Sequence, residues 1–155
     1  MITFMSQSLS KIYIHLIFHI KTSSPVIFEE DLCRLHAYMA KVLESCGCVN
    51  ICTSGIRDHV HVLFLLSRDV SVSHVVEELK RNSSRWIKQI SSHYKNFSWQ
   101  GGYGAFSVSQ SVVEKTKAYI NNQEKHHRFH SFAEEYRMFL DTYEVKYNDE
   151  YVFKD

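Results

Sequence analysis

Two histidines separated by one residue, His59 and His61, are the clearest candidates for chemistry in this sequence. They open a strongly apolar run with the pattern of a strand, in which alternate side chains point to the same face. Two neutral imidazoles on one face can bind a single metal ion, and histidine is the commonest metal ligand in proteins. Taken alone, the pair is equally compatible with partly buried polar residues at the end of a strand.

Tyr119 and Gln123 supply groups that the histidine pair lacks. They are four residues apart in a helical pattern and therefore share one helix face. A glutamine oxygen would complete a His-His-oxygen set, and two imidazoles with an amide oxygen and water suit Mg²⁺ or Mn²⁺ better than a closed zinc site. A phenol beside such an ion is a competent nucleophile, because the positive charge stabilises its anion. Without the histidine pair, the same residues would be a packing aromatic and a surface amide.

The hydrophobic pattern predicts the elements that must position these residues. Alternation with a period of two predicts strands at 11–20, 49–56, 59–66 and 105–109. Apolar stripes with helical spacing predict helices at 29–46, 71–94, 111–128 and 131–140. This order predicts an α+β fold of the ferredoxin-like (RRM-like) type, an antiparallel sheet with helices packed on one face plus C-terminal helices. Its open sheet edges would allow pairing with another subunit.

Local signals describe the ends of the elements and of the chain. Residues 1–10 carry no pattern and are expected to be irregular. Capping-box pairs predict the starts of the last two helices; they are Ser111 with Glu114, and Ser131 with Glu134. The tail at 143–153 is aromatic and partly alternating, which predicts a strand or a strap over the body. We expect residues 1–155 to form a single domain, with 131–155 as its C-terminal helix and tail.

Composition indicates an ordinary soluble globular protein. Apolar residues make up 45% and charged residues 23%, with one proline and five glycines, so linkers are not expected. The sequence shows no apolar run of membrane-spanning length and no N-terminal targeting pattern, which makes a cytoplasmic location the expectation. The cysteines at 33, 46, 48 and 52 lack a second pair at zinc-site spacing and are expected to be reduced thiols.

The charge distribution is compatible with a polyanionic partner. Residues 1–132 hold fifteen basic and ten acidic side chains, whereas residues 133–155 hold three and seven. A basic face on the second helix could grip phosphates, although a solvated helix face is the commoner role for such cations. The candidate DNA-binding residues are Lys80, Arg81, Arg85 and Lys88 on that helix, and Arg57, Lys115 and Lys117 near the proposed metal site.

Four segments together resemble the single-tyrosine HUH transposases of small bacterial insertion sequences, which include the REP-associated tyrosine transposases. The segments are His59-Val60-His61, Leu79-Lys80-Arg81-Asn82-Ser83-Ser84, the glycine-rich stretch 99–109, and 119–127. They occur in the family order and span most of the chain from residue 11 to about residue 140. A lone His-x-His is weak evidence, whereas the four segments together are specific.

The resemblance implies a metal-dependent enzyme that cleaves and rejoins single-stranded DNA. His59, His61 and Gln123 would bind a divalent metal, Mg²⁺ or Mn²⁺, which polarises a scissile phosphate. Tyr119 would attack that phosphate and form a 5′-phosphotyrosine link, leaving a free 3′-hydroxyl that later rejoins strands. Family members are homodimers that recognise DNA hairpins near element ends. In some of them the tyrosine helix of one subunit serves the metal site of the other.

Several alternatives stay open. Other candidates for the nucleophile are Tyr94, Tyr103 and Tyr136, and other candidates for the third ligand are His126 and His127. The histidines of the first strand, His15 and His19, are expected to be structural or ligand-contacting. The rival functions are a metal-dependent hydrolase and a non-catalytic, domesticated nucleic-acid-binding protein. The chain lacks the later His and Asp ligands that barrel hydrolases need.

Overall fold

The computed structural model describes residues 6–154, whose helices and strands follow the predicted order. The strands are β1 (Tyr13–His19), β2 (Val49–Ile56), β3 (His59–Leu65) and β4 (Gly104–Val108). The helices are α1 (Glu29–Ser45), α2 (Val72–Ile90), α3 (Val113–Asn121), α4 (Gln123–His126), α5 (Phe132–Thr142) and α6 (Asp149–Phe153). Short 3-10 turns at Ser92–Tyr94 and Gln110–Val112 precede β4 and α3.

The four strands form one antiparallel sheet in the order β2-β3-β1-β4. Strand β3 pairs with both β1 and β2, and its pairing with β1 aligns His59 with His19 and His61 with Ile17. This order is that of a ferredoxin-like sheet, so the predicted fold class is confirmed. Among the described residues, β2 and β4 are the edges of the sheet.

Both faces of the sheet are covered, and the side chains of β1 and β3 are buried on either side apart from the partly buried Leu65. On one face, alternate residues such as Leu16 and Val62 pack with α1 and α2 to form the largest core cluster. On the opposite face, Leu63 packs with Ile120 of α3, and Ile17 packs with residues of α5. Because strand side chains alternate, the histidine pair of β3 lies on this second face.

The prediction of a single helix at 111–128 is wrong. A 3-10 turn precedes α3, and no side chain caps the start of α3, so Ser111 does not begin a helix as predicted. The helix then breaks at Asn122, whose backbone (φ −99°, ψ 19°) departs from helical geometry before α4 begins. Asparagine favours such breaks, because its side chain competes for backbone hydrogen bonds. Tyr119 and Gln123 consequently lie on two helices instead of one.

The C-terminal tail is a strap over the body, and it ends in α6 instead of a strand. The main-chain carbonyl of Val152 lies 3.0 Å from His19 Nε2. The carbonyl of Tyr151 accepts a hydrogen bond of 3.0 Å from Gln100 Nε2. The tail is thereby attached to the end of β1 and to the glycine-rich stretch.

The remaining local expectations have mixed outcomes. The Ser131 hydroxyl accepts a hydrogen bond from the backbone N–H of Glu134 at 3.2 Å, which confirms the predicted cap of α5. The four cysteines are free thiols, as expected. Residues 1–5 of the expected irregular start lie outside the described residues, and 6–10 contain no helix or strand. No helix within residues 6–154 has the length and apolar character of a membrane span.

Candidate active site

His59 and His61 point into a buried polar cluster between β3 and the helices α3 to α5. Both side chains are shielded from solvent, and so is Glu135 of α5. Glu135 Oε1 lies 2.9 Å from His61 Nε2 and 3.5 Å from His59 Nε2. The two imidazoles therefore converge on a single carboxylate.

A polar side chain behind each histidine orients its ring. His59 Nδ1 lies 2.7 Å from Asp58 Oδ1, and His61 Nδ1 lies 2.8 Å from His15 Nε2. Partners of this kind fix the tautomer of an imidazole and leave its other nitrogen directed at the site. His15 therefore contacts a candidate ligand and is not itself one of the converging groups.

The charge states of the cluster are set by burial and by these contacts. Burial would lower the pKa of His59, but hydrogen bonds with Asp58 and Glu135 raise it to about 9. At His61 burial outweighs the nearby carboxylate and lowers the pKa to about 4. Burial would raise the pKa of the Glu135 carboxyl, but hydrogen bonds with His127, His59 and His61 hold it well below its usual range. The cluster thus stabilises a buried carboxylate anion.

Gln123 joins the cluster from the first residue of α4. Its Oε1 atom lies 3.0 Å from His59 Nε2 and 3.0 Å from His127 Nε2. Its Nε2 atom lies 3.3 Å from Glu135 Oε2. The helix break at Asn122 therefore leaves Gln123 within reach of the histidine pair. His127 also lies 3.3 Å from Glu135 Oε1, close enough to assist Gln123.

Tyr119 of α3 contacts the other oxygen of the same carboxylate, Glu135 Oε2. The Tyr119 hydroxyl donates a hydrogen bond to Glu135 Oε2 and lies 3.4 Å from His126 Nε2. Burial and this hydrogen bond raise the pKa of the phenol above its usual range. The candidate nucleophile and the histidine pair of one chain therefore meet at Glu135.

Two open grooves border the Tyr119 ring. One has a volume of about 250 Å³, and Lys115 is among its lining residues. The other has a volume of about 420 Å³ and is lined in part by Lys125 and the exposed Phe129. The Tyr119 side chain therefore lines both grooves.

The other candidate tyrosines have their side chains outside the histidine cluster. Tyr94 packs in the core with α1 and α2, where its hydroxyl donates a 2.5 Å hydrogen bond to Asp31. Tyr136 packs in the apolar cluster beneath α5, and Tyr103 is exposed in the glycine-rich stretch. Of these four tyrosines, which all lie in the described chain, Tyr119 is the one that hydrogen-bonds within the histidine cluster.

Glu135 is not among the residues predicted from the sequence. The signal that could have found it is its spacing from Phe132 and Phe139, three residues before and four residues after it. A carboxylate therefore interrupts the apolar stripe of α5. Glutamate is almost never fully buried unless it is paired, so this position indicates a polar site beneath the helix.

The predicted DNA-binding residues near the site lie on its outer surface. Lys115 borders one groove at Tyr119. Burial raises the pKa of the Cys52 thiol of β2, and the nearby positive charge of Lys117 opposes that rise. Arg57 is exposed in the turn that precedes Asp58. Lys115 and Lys117 belong to α3, which covers the sheet face that carries the histidine pair. Arg57 lines a pocket with Glu124 of α4.

The predicted DNA-binding residues of α2 lie across the sheet from the histidine cluster. Arg85 and Lys88 are exposed, and Arg81 forms ion pairs with Glu77 and Glu78 on its own helix. The Lys80 ammonium donates 2.7 Å hydrogen bonds to the main-chain carbonyls of Gln100 and Gly102, and burial lowers its pKa to about 8. Lys80 therefore holds the glycine-rich stretch in place. DNA contacts by this set stay a prediction.

The donor atoms of the cluster fit a divalent metal. One ligand atom from each of His59, His61 and Glu135 lies within 4.8 Å of the others. His59, His61 and Glu135 are therefore close enough to hold one shared divalent ion after small adjustments. Two imidazoles with carboxylate and amide oxygens suit Mn²⁺ and related divalent ions. Glu135 is thus an additional candidate ligand beside the three predicted ones.

Comparisons with known proteins identify relatives of this fold. The family model described as "Transposase IS200 like" matches residues 8–123. A protein of Deinococcus radiodurans R1, provisionally described as a transposase, has a TM-score of 0.60 and 21% sequence identity, covering 79% of this chain and 98% of that one. A REP-associated tyrosine transposase bound to a REP hairpin has a TM-score of 0.54 and 14% identity, covering 79% and 72%. No curated protein sequence matches the chain.

The family match spans the whole sheet, the histidine pair, Tyr119 and Gln123, and it ends before Glu135. At identities of 21% and 14%, the two solved structures show a common fold. The resemblance seen in the sequence motifs is confirmed, and the chain belongs to the IS200-like transposase family.

Proposed function

We propose that this protein cleaves and rejoins single-stranded DNA at hairpin-marked element ends through a covalent tyrosine intermediate. The observation that carries this proposal is the convergence of Tyr119, His59 and His61 on the two oxygens of one buried carboxylate. A candidate nucleophile and a candidate metal site are thereby adjacent in one chain. Membership of a transposase family supports DNA as the substrate.

Tyr119 would act as the nucleophile. Its phenolic oxygen forms a bond to the scissile phosphorus while the bond from phosphorus to the 3′-oxygen breaks. The phenol loses its proton and the departing 3′-oxygen gains one. The products are a 5′-phosphotyrosine link and a free 3′-hydroxyl. Because the link is itself a phosphodiester, a 3′-hydroxyl can later displace the tyrosine without a nucleotide cofactor.

His59, His61 and Gln123, together with Glu135, would hold a divalent ion, Mn²⁺ or Mg²⁺. When bound, the ion supplies positive charge that polarises the phosphate and stabilises the phenolate. Asp58 keeps the His59 ring in the orientation that presents Nε2 to the site. Burial of the cluster excludes bulk water, which favours attack by the phenol over hydrolysis.

Single-stranded DNA would reach Tyr119 along the grooves on either side of its ring. Lys115 in one groove and Lys125 in the other can contact phosphates. One of the two solved structures, the REP-associated tyrosine transposase, is bound to a REP hairpin, which supports a hairpin substrate for this chain. Arg85 and Lys88, across the sheet, are candidates for contacts with the hairpin stem away from the cleavage site.

A homodimer is part of the proposal, and β2 and β4, which form the edges of the sheet within residues 6–154, are suitable surfaces for it. Because Tyr119 meets the histidine pair of its own chain, we expect each subunit to hold its own nucleophile. Sharing of the tyrosine helix between subunits would require α3 and α4 to leave this position.

A covalent adduct assay tests the proposed function. The protein is incubated with Mn²⁺ and hairpin-bearing single-stranded DNA from the flanks of its gene, and adducts are separated by denaturing electrophoresis. We expect an adduct that requires the ion, and we expect Tyr119→Phe to reduce its formation by more than about 10³-fold, as losses of nucleophiles do. DNA affinity should stay within about twofold, because the substitution removes one hydroxyl and no cation.

Tyr103→Phe is the matched control, since Tyr103 is exposed and belongs to the glycine-rich stretch outside the cluster. An adduct that persists in Tyr119→Phe would place the nucleophile elsewhere. DNA hydrolysis without a covalent species would support a metal-dependent hydrolase, and binding without cleavage would support a non-catalytic nucleic-acid-binding protein.

A further inference from the structure

We propose that Glu135 couples the metal to the nucleophile, with one carboxylate oxygen as a metal ligand and the other holding the Tyr119 hydroxyl in position. This inference rests on the proposed function. It extends the active site to α5, which lies beyond the segment that matches the family model.

The two oxygens of Glu135 face different partners. Oε1 lies 2.9 Å from His61 Nε2 and 3.5 Å from His59 Nε2, at the point where the imidazoles converge. Oε2 accepts the hydrogen bond of Tyr119 and lies 3.3 Å from Gln123 Nε2. The carboxyl group of Glu135 therefore lies between the candidate metal ligands and the phenol.

The ion-pair partners of Glu135 argue against a purely structural carboxylate. Within the described chain these partners are all histidines: His59, His61, His126 and His127. A buried structural glutamate is normally stabilised by a cation of fixed charge, and arginine is the commonest choice. An imidazole that gives up its proton can instead present a lone pair to a shared ion, which is the arrangement of a metal site.

Packing of α5 against the sheet places Glu135 at this position. The Phe132 ring stacks on the His59 ring with centroids 4.3 Å apart, and the Phe139 ring contacts the His15 ring edge-on at 5.0 Å. The Ser131 cap fixes the start of the helix. A ligand on a capped and packed helix is positioned more accurately than one on a loop.

Glu135→Gln tests the coupling, because it keeps the shape of the side chain and removes its charge. We expect the affinity for Mn²⁺, measured without DNA by electron paramagnetic resonance titration, to fall by about tenfold or more. At saturating Mn²⁺ and DNA, the rate of adduct formation should fall as well, with the DNA concentration for half-maximal rate unchanged. Glu134→Gln, on the exposed face of the same helix, should alter neither quantity.

Glu135→Asp is a second variant that keeps the charge but shortens the side chain by one methylene. It should bind Mn²⁺ more tightly than Glu135→Gln while adduct formation stays slow, because one short carboxylate cannot reach both partners. Thermal unfolding of each variant, followed by circular dichroism, must show a folded protein.

Mn²⁺ affinity of Glu135→Gln within twofold of wild type would overturn the inference. Faster adduct formation by Glu135→Gln would also overturn it, because Glu135 would then obstruct the site. Since Mn²⁺ binding is measured without DNA, it tests Glu135 even if the wild-type protein forms no adduct. Absence of a wild-type adduct would refute the proposed function alone.

Discussion

Asp58 determines which nitrogen of His59 faces the site. Its Oδ1 atom lies 2.7 Å from His59 Nδ1, and Nε2 is left to point at the cluster. A carboxylate behind an imidazole ligand also makes that ligand more basic. The effect is already visible in the pKa of His59, which hydrogen bonds with Asp58 and Glu135 raise to about 9 against the influence of burial.

Asp58→Asn should therefore weaken metal binding although Asp58 is not a ligand. We expect Mn²⁺ affinity to fall by about tenfold, the usual effect of losing such a partner. Isothermal titration calorimetry on the folded variant measures this change. Asp69→Asn is the control, because the Asp69 side chain is 80% exposed and lies outside the cluster. Equal affinities for the two variants would show that Asp58 does not orient His59.

The hairpin of β2 and β3 is the element that carries the histidine pair, and Gly55 permits its close pairing. A Cβ atom at Gly55 would lie 2.3 Å from the His59 carbonyl oxygen and 2.9 Å from Val60 Cα. Both neighbours are backbone atoms, so only a shift of β3 could relieve the contact. The first residues of β3, and with them the histidine pair, depend on glycine at this position.

Gly55→Ala should consequently destabilise the protein and disturb the site together. We expect the free energy of unfolding to fall by about 1 to 3 kcal/mol, the usual cost of overpacking. Urea denaturation followed by circular dichroism measures it. Gly101→Ala is the matched control, because a Cβ atom there has no neighbour within 4 Å, and its effect should stay within about 0.5 kcal/mol. A similar loss in both variants would contradict this account of the hairpin.

The type and order of the elements were predictable wherever a single periodicity governs a segment, although the helix predicted at 71–94 ends at Ile90 and a 3-10 turn follows it. The helix predicted at 29–46 ends one residue earlier, at Ser45, and the strand predicted at 49–56 has those bounds. The break at Asn122 has only a weak local signal, the low helix preference of asparagine, because the residues on both sides of it keep helical spacing. Tertiary contacts determine the conformation at this point, because the Gln123 side chain hydrogen-bonds with His59 and the chain does not continue α3.

The part of the candidate site that lies on a single strand, the histidine pair of β3, was predictable from the sequence. Alternation along β3 is sufficient to bring His59 and His61 to one face. Glu135 could not be predicted in the same way, because it reaches the site only after α5 docks on the sheet. No local pattern specifies that docking.

At the scale of the whole molecule, the sheet separates a packing layer from a reactive layer. Helices α1 and α2 cover one face with the largest apolar core. The opposite face carries the histidine pair, and α3, α4 and α5 bring Tyr119, Gln123 and Glu135 to it. The reactive layer thus combines segments from widely separated parts of the chain, which explains why the site depends on the complete fold.

The most direct test of the central claim identifies the residue and the DNA end in the covalent adduct. Hairpin DNA labelled separately on the 5′ and 3′ sides of the cleavage site is reacted with Mn²⁺, and the adduct is digested with trypsin and analysed by mass spectrometry. We predict that the peptide of residues 118–125, in which Tyr119 is the sole tyrosine, carries the 3′-side fragment through its 5′-phosphate. A label from the 5′ side, or an adduct on any other peptide, would contradict the account.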